Sequence, residues 1–174
     1  MRVPRFLSIV ALIAIAATFR LLPHPANVSP IGAIALFAGA YLAERRWAFA
    51  IPVTALLLSD VVLGGYGLPL MGTVYASFAA AVAIGMLLRH RLSPGPIAAA
   101  TVAGSTLFFL TTNFAVWALG GGYARSLDGL LACYTAAIPF FGRTLAGDAF
   151  FAAALFGLMA LAERTIPALR EQGA

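Results

Sequence analysis

Six apolar segments, separated by short breaks of arginine, glycine or proline, constrain what this chain can fold into. They cover residues 6–22, 31–43, 47–63, 73–88, 97–119 and 139–162. Most of them are long enough to cross a hydrocarbon layer of roughly 30 Å as a helix, in which every backbone polar group finds a partner within the segment. The pattern predicts an all-α integral membrane protein, with residues 1–174 forming one six-helix domain.

Composition supports a membrane location for the whole chain. Hydrophobic residues make up 62% and charged residues only 10% of the sequence, which is far from the balance of a soluble domain. The first segment also resembles a cleavable signal peptide, because Arg2 and Arg5 precede it and Ala14-Ile15-Ala16 could be a cleavage site. Its apolar run continues past that point, so we expect it to remain as the first transmembrane helix.

A shorter element is expected between the fifth and sixth segments. Residues 123–137 follow a break at Gly120-Gly121-Gly122 and carry Arg125 and Asp128 among apolar residues. This stretch is too short to span a bilayer, and it predicts an interfacial or re-entrant helix.

The arginines indicate the orientation of the bundle. All eleven basic residues are arginines, and eight of them lie near the chain ends or in the breaks at 44–46 and 89–91. Six spans place both termini on one side, and the excess of arginine there predicts that both termini are cytoplasmic. The same placement explains the net charge of +5 without nucleic-acid binding, which we do not expect.

The polar residues within the apolar segments collect towards the opposite, outer side. The break after the first segment, residues 23–30, contains three prolines, so it cannot be continuous helix and presents its polar side chains from a stiff loop. We expect a polar cavity under this loop at which Arg20, Asp60, Asn113, Arg143 and Asp148 converge, since charges in hydrocarbon need partners or water. Structural ion pairs and helix–helix hydrogen bonds are the alternative. The candidate substrate-binding residues are Arg20, His24, Asn27, Asp60, Asn113, Trp117, Tyr134, Arg143 and Asp148.

Small residues and the lack of catalytic motifs suggest a binding or packing role. Ala35, Gly39 and Ala43 recur every four residues and form a strip on which another helix could pack or a partner could dock. No nucleophile elbow, phosphate-binding glycine loop or metal motif is present, and Cys133 is the single cysteine. We therefore expect no enzymatic activity, no cofactor and no metal.

Four stretches carry a resemblance to a known family. They are RLLPHPANVSPIGAIALFAGAYL, SDVVLG, TTNFAVW and CYTAAIPFFGRTLAGDAFFAAALFG, beginning at Arg20, Ser59, Thr111 and Cys133. In them the chain resembles a family of small uncharacterised bacterial membrane proteins that are similar to the substrate-binding, or S, components of energy-coupling factor transporters. The resemblance implies a six-helix bundle that binds a small molecule between its outer loops and docks on a transmembrane coupling protein with two ATPases.

Two departures limit what the resemblance implies. S components usually carry alanine every four residues on the first helix, whereas Ala14 and Thr18 form only a partial version here. The sequence also has Arg2 where nickel and cobalt S components have a ligating histidine, which disfavours a free metal substrate.

Two functional hypotheses follow. In the first, the protein is an S-component-like protein of the bacterial inner membrane that binds a small organic solute, a vitamin or cofactor precursor, in a pocket open to the extracytoplasmic side for uptake. In the second, it is a non-transporting membrane scaffold or interaction protein of the cell envelope, and its small-residue strips bind partner helices.

Overall fold

The computed structural model describes residues 3–65 and 67–170, so Met1, Arg2, Tyr66 and the last four residues lie outside the description. Within these ranges the chain is helical and contains no strand. The helices are α1 (Val3–Thr18), α2 (Ile31–Tyr41), α3 (Arg45–Leu63), α4 (Leu68–Leu87), α5 (Pro94–Leu119) and α6 (Leu127–Thr165), with single 3-10 turns at Phe19–Leu21 and Pro167–Leu169. The predicted all-α class is confirmed.

Helix lengths agree with a multi-pass membrane protein. Five helices are long and apolar enough to cross a bilayer, counting α1 together with the turn that follows it. The exception is α2, whose 11 residues extend about 16 Å, or half of the hydrocarbon thickness.

The short helix α2 forms the centre of the bundle. Ten of its 11 residues are buried, and it contacts each of the other five helices. A helix that is surrounded on every side needs no polar face, which explains why its sequence is apolar or small throughout. The hydrophobic core therefore runs along α2 and includes Ile34, Phe37 and Tyr41.

Close contact between α2 and α4 depends on two glycines. A Cβ atom on Gly39 would overlap the backbone of Val82 and lie 2.9 Å from the amide nitrogen of Met86. A Cβ atom on Gly85 would likewise overlap the backbone of Leu36. The helix that packs on the predicted small-residue strip at Gly39 is thus α4 of the same chain. Ala35 is fully buried, whereas Ala43 lies beyond the end of α2 and is exposed.

Polar contacts show which helix ends lie together. At what we call the arginine end, Arg89 donates from Nε to the carbonyl oxygen of Gly39 at 3.1 Å and from Nη2 to that of Leu42 at 2.7 Å, so it caps the buried C-terminus of α2. Arg5 at the start of α1 forms an ion pair of 2.9 Å with Glu163 near the end of α6. The α1–α2, α3–α4 and α5–α6 connections lie at the opposite end, the loop end.

A separate interfacial or re-entrant helix at 123–137 is not confirmed. The structure instead has one helix over Leu127–Thr165, which begins where the hydroxyl of Ser126 accepts a hydrogen bond from the amide of Gly129 at 3.2 Å. Asp128 lies in the first turn, where a helix dipole favours an acidic residue. Pro139 lies inside the helix and removes one backbone donor without ending it.

The α2–α4 contact yields a prediction about stability. We expect Gly85→Ala to lower the free energy of unfolding by about 1 to 3 kcal/mol, because the added methyl group has to push two helix backbones apart. Gly72→Ala is the matched control on the same helix, since a Cβ atom there meets no atom within 4 Å. Thermal unfolding of the purified proteins in one detergent measures both, and equal melting temperatures for the two variants would contradict the close contact.

Candidate ligand pocket at the loop end

A partly open cavity of about 320 Å³ lies at the loop end, above the N-terminus of α2. Because α2 begins only at Ile31, the longer helices around it enclose space beyond its first turn. The polar side chains that line the cavity are Arg20, His24, Asn27, Ser29, Thr144 and Asp148. We call this cavity the loop-end pocket.

Arg20 lies on one wall of the pocket and is held by α3. Its Nη2 forms an ion pair of 2.6 Å with Asp60 Oδ1, and its Nη1 donates to the hydroxyl of Ser59 and to the carbonyl oxygen of Leu56. The hydroxyl of Tyr75 on α4 donates to the other Asp60 oxygen at 2.9 Å. The Asp60 side chain is 3% exposed and the Arg20 side chain 15%, so the pair is largely buried, and it joins the turn after α1 to α3 and α4.

Asp148 lies at the floor of the pocket and is 6% exposed. Its Oδ2 accepts a hydrogen bond of 2.7 Å from the hydroxyl of Ser105 on α5. The carboxylate also lies directly against α2, because a Cβ atom on Gly32 would be 2.8 Å from Asp148 Cγ, and the backbone amide of Ala33 donates to it. Asp148 thus satisfies an unpaired amide in the first turn of α2, where the helix dipole favours a negative charge.

The proline-rich loop forms the upper rim of the pocket. Its position against α6 is fixed by close contact, since a Cβ atom on Gly147 would lie 3.2 Å from Val28 Cα. Asn27 adopts a left-handed conformation with a φ of 68°, which asparagine tolerates better than most residues. His24 Nδ1 is 2.6 Å from the carbonyl oxygen of Leu22, so Nδ1 carries a hydrogen and Nε2 is the ring atom left for another partner.

A smaller cavity of about 120 Å³ adjoins the loop-end pocket. The two share Asn27, Phe108 and Thr144 as lining residues, and Asn113 lines only the smaller one. Asn113 donates from Nδ2 to the carbonyl oxygen of Phe109 at 2.7 Å, within its own helix. Asn113 is therefore close to the pocket but separated from it.

Four of the candidate residues line neither cavity, namely Asp60, which pairs with Arg20, and Trp117, Tyr134 and Arg143. Trp117 donates from Nε1 to the carbonyl oxygen of Ala124 at 2.9 Å, and Tyr134 donates to that of Leu110 at 2.6 Å, so both hold the α5–α6 connection and its flanks together. Thr144 and Asp148 are four residues apart and share the face of α6 that lines the pocket. Arg143 precedes Thr144 by one residue, so it points about 100° away from that face, and it is exposed. Of the five groups expected to converge, Arg20 and Asp148 line the loop-end pocket, Asp60 pairs with Arg20, Asn113 lines the adjoining cavity and Arg143 lines neither.

Sequence reasoning missed the hydroxyl groups that satisfy the acids. Tyr75 bonds Asp60 and Ser105 bonds Asp148, each from a different helix. The only signal for Ser105 was a hydroxyl in a largely apolar helix, which is equally typical of a side chain that bonds its own backbone, as Thr101 does.

A second large space lies at the side of the bundle. It is a groove of about 510 Å³ between α1 and α3, lined by Ala14, Ala17, Ala50 and Ala55 among other residues and by no charged side chain. Such an apolar lateral surface is suited to acyl chains. The loop-end pocket is smaller, but it contains the buried charges and the convergent polar groups that specify a ligand.

Comparison with known proteins gives a family. Residues 2–169 match the model of a family described as a family of unknown function, DUF6580. The chain belongs to this DUF6580 family. Neither a curated protein nor a solved structure matches the chain. Membership assigns no activity, so the function has to be argued from the geometry of the pocket.

The buried ion pair yields a second prediction. We expect Asp60→Asn to lower the free energy of unfolding by about 3 to 5 kcal/mol, because it leaves the largely buried charge of Arg20, whose side chain is 15% exposed, without a counter-charge. The double variant Arg20→Met with Asp60→Asn should recover part of that loss. Glu44→Gln is the control, since the Glu44–Arg46 pair has the same 2.6 Å distance but exposed side chains, and it should change stability by at most about 1 kcal/mol. The prediction would be contradicted if the denaturation curves of Asp60→Asn and Glu44→Gln, measured in the same detergent, coincide.

Proposed function

We propose that this protein binds a small organic solute, a vitamin or cofactor precursor, in the loop-end pocket for uptake across the bacterial inner membrane, in the manner of an S component. The observation that carries the proposal is a cavity of about 320 Å³ into which an otherwise apolar bundle places Arg20 and Asp148. Charged groups inside a membrane protein are costly, and they typically mark a site for a substrate or an ion.

The distribution of polar groups favours a binding site over a channel. Arg20, Asp60 and Asp148 lie near the loop end, whereas the middle of the bundle is filled by the side chains of α2, of which Ile34, Leu36 and Phe37 are at most 2% exposed. A conducting pore would need polar groups or water along its whole length. A pocket that is open at one end and closed by a packed core is suited to solute capture before a conformational change.

Uptake in the manner of an S component would require an energising partner, and the sequence itself shows no motif for nucleotide binding. A transmembrane coupling protein with two ATPases is the partner that the S-component proposal implies. Ala35 and Gly39 are buried inside the bundle, so such a partner would contact a different face.

A non-transporting scaffold of the cell envelope is the second candidate. One observation favours it, namely that Arg20 and Asp60 satisfy each other and their neighbours inside the protein, as a purely structural pair does. The scaffold proposal has no role for the cavity beside that pair, and the two proposals therefore differ in whether a solute occupies the pocket.

Occlusion of the pocket tests the proposed function. Val74 lines the loop-end pocket and is 9% exposed, so Val74→Phe should fill part of the cavity and prevent binding. We expect mass spectrometry of protein purified in mild detergent to detect a solute with the parent and to lose it with Val74→Phe. Val61→Phe is the control, because Val61 is 74% exposed on α3. A parent protein without any bound solute, or one that is unaffected by Val74→Phe, would favour the scaffold.

We also propose that the loop end faces the extracytoplasmic side and that both termini are cytoplasmic. The arginine-rich breaks at 44–46 and 89–91 support this orientation through the positive-inside rule. In a Cys133→Ser background, an impermeant thiol reagent should label Ala26→Cys but not His90→Cys in intact cells, since both positions are exposed at opposite ends. The reverse labelling pattern would mean that the orientation is inverted.

A further inference from the structure

The charge balance of the loop-end pocket is incomplete. Asp60 neutralises Arg20 through an ion pair of 2.6 Å, whereas no arginine or histidine nitrogen among residues 3–65 and 67–170 forms an ion pair with Asp148. Asp148 is nevertheless 94% buried, with an exposed fraction of 6%. A buried carboxylate without a counter-charge is unfavourable, and a bound cation would remove the imbalance.

The surroundings of Asp148 explain how the site tolerates its charge without a ligand. One hydrogen bond from Ser105 and the amide of Ala33 at the N-terminus of α2 offset part of the cost of burying the carboxylate. These neutral donors hold the carboxylate in place but supply no positive charge. They therefore position Asp148 at the floor of the pocket, where a ligand group can reach it.

The walls above Asp148 are apolar and aromatic. Ile31, Leu56, Val74 and Phe108 line the pocket, and the ring of Phe108 stacks on that of Phe78 with centroids 5.1 Å apart. Aromatic faces attract cations through their quadrupoles, and apolar walls remove the body of a ligand from water. Arg20 does not offset this preference for a cation, because both of its terminal nitrogens are engaged by α3.

From this juxtaposition we infer that the ligand is an organic cation, a protonated amine or quaternary ammonium on an apolar or aromatic body, whose positive group pairs with Asp148. The inference rests on the proposed function and specifies its substrate class. It makes Asp148 a ligand-binding residue in addition to a cap for α2.

Three probes of similar size test the class of ligand. They are 2-phenylethylamine, 2-phenylethanol and 3-phenylpropanoate, which share a phenyl body and differ in charge. The parent protein in detergent should bind the amine with a Kd about tenfold or more below that of the alcohol, as expected for a hydrogen bond to a charged group, and should bind the carboxylate most weakly. Isothermal calorimetry gives the three constants at constant ionic strength.

A substitution at Asp148 tests whether this residue causes the preference for the amine over the alcohol. Asp148→Asn keeps the shape and the acceptor for Ser105 but removes the charge, so the amine and the alcohol should bind equally. Asp128→Asn is the control, since Asp128 is an exposed acid on the same helix, and it should retain the preference for the amine. If Asp148→Asn does not fold, Val74→Phe takes its place and should lose binding of the amine.

The outcomes separate this inference from the proposed function. If the parent binds the alcohol or the carboxylate as tightly as the amine, or more tightly, the inference that the ligand is an organic cation is wrong. If that binding is lost in Val74→Phe, the proposed function still stands. A preference for the amine that persists in Asp148→Asn overturns the role of Asp148. If no probe binds, the charge of the solute that is purified with the parent tests the inference. A cationic solute supports it, and a neutral or anionic solute overturns it. The absence of both probe binding and a solute contradicts both proposals.

Discussion

The burial of α2 is the constraint on which the rest of the structure depends. Its 11 residues are surrounded by five other helices, so both of its ends lie inside the protein, where unpaired backbone groups are costly. Arg89 supplies donors for carbonyl groups at the C-terminus, and Asp148 accepts from an amide in the first turn. Two charged side chains of opposite sign therefore complement the two ends of the dipole of α2.

The shortness of α2 also creates the pocket. A central helix of full length would fill the space between α3, α4, α5 and α6 up to the loop end. The structure instead leaves a partly open cavity there, with the proline-rich loop at its rim, Asp148 at its floor and Arg20 on its wall. Capping of α2 and the proposed binding of a ligand would thus use the same carboxylate, so that a ligand at Asp148 would also affect the stability of the core.

Much of the fold follows from the sequence because bilayer physics restricts the choices. Apolar segments of sufficient length can only be helices in lipid, and the breaks between them are marked by arginine, glycine or proline. The separate helix expected at 123–137 is not confirmed, because the stretch was judged too short to span a bilayer by itself, whereas Ser126 and Asp128 are the start signals of a helix that continues to Thr165. The central position of α2 was not predicted, since shortness alone does not show whether a helix is surrounded.

Parts of the site could be predicted and parts could not. The cost of isolated charge in hydrocarbon suggested that Arg20 and Asp60 have partners, and they pair with each other. Depth along a helix does not determine which way a side chain points, which is why Arg143 was grouped with Asp148 although the two lie on different faces of α6. The contacts of Tyr75 and Ser105 depend on the packing of α4 and α5, and single-sequence patterns carry no information about it.

The central claim is that the space beyond the first turn of α2 is a ligand site. An experimental structure of the protein in a lipid nanodisc, determined after purification without added ligand and again with 2-phenylethylamine, tests it most directly. The account predicts density for a compact non-lipid molecule between Gly32, Phe108 and Asp148, with its polar group at the carboxylate. A cavity closed by the surrounding side chains in both structures, or one occupied by a lipid acyl chain, would contradict it.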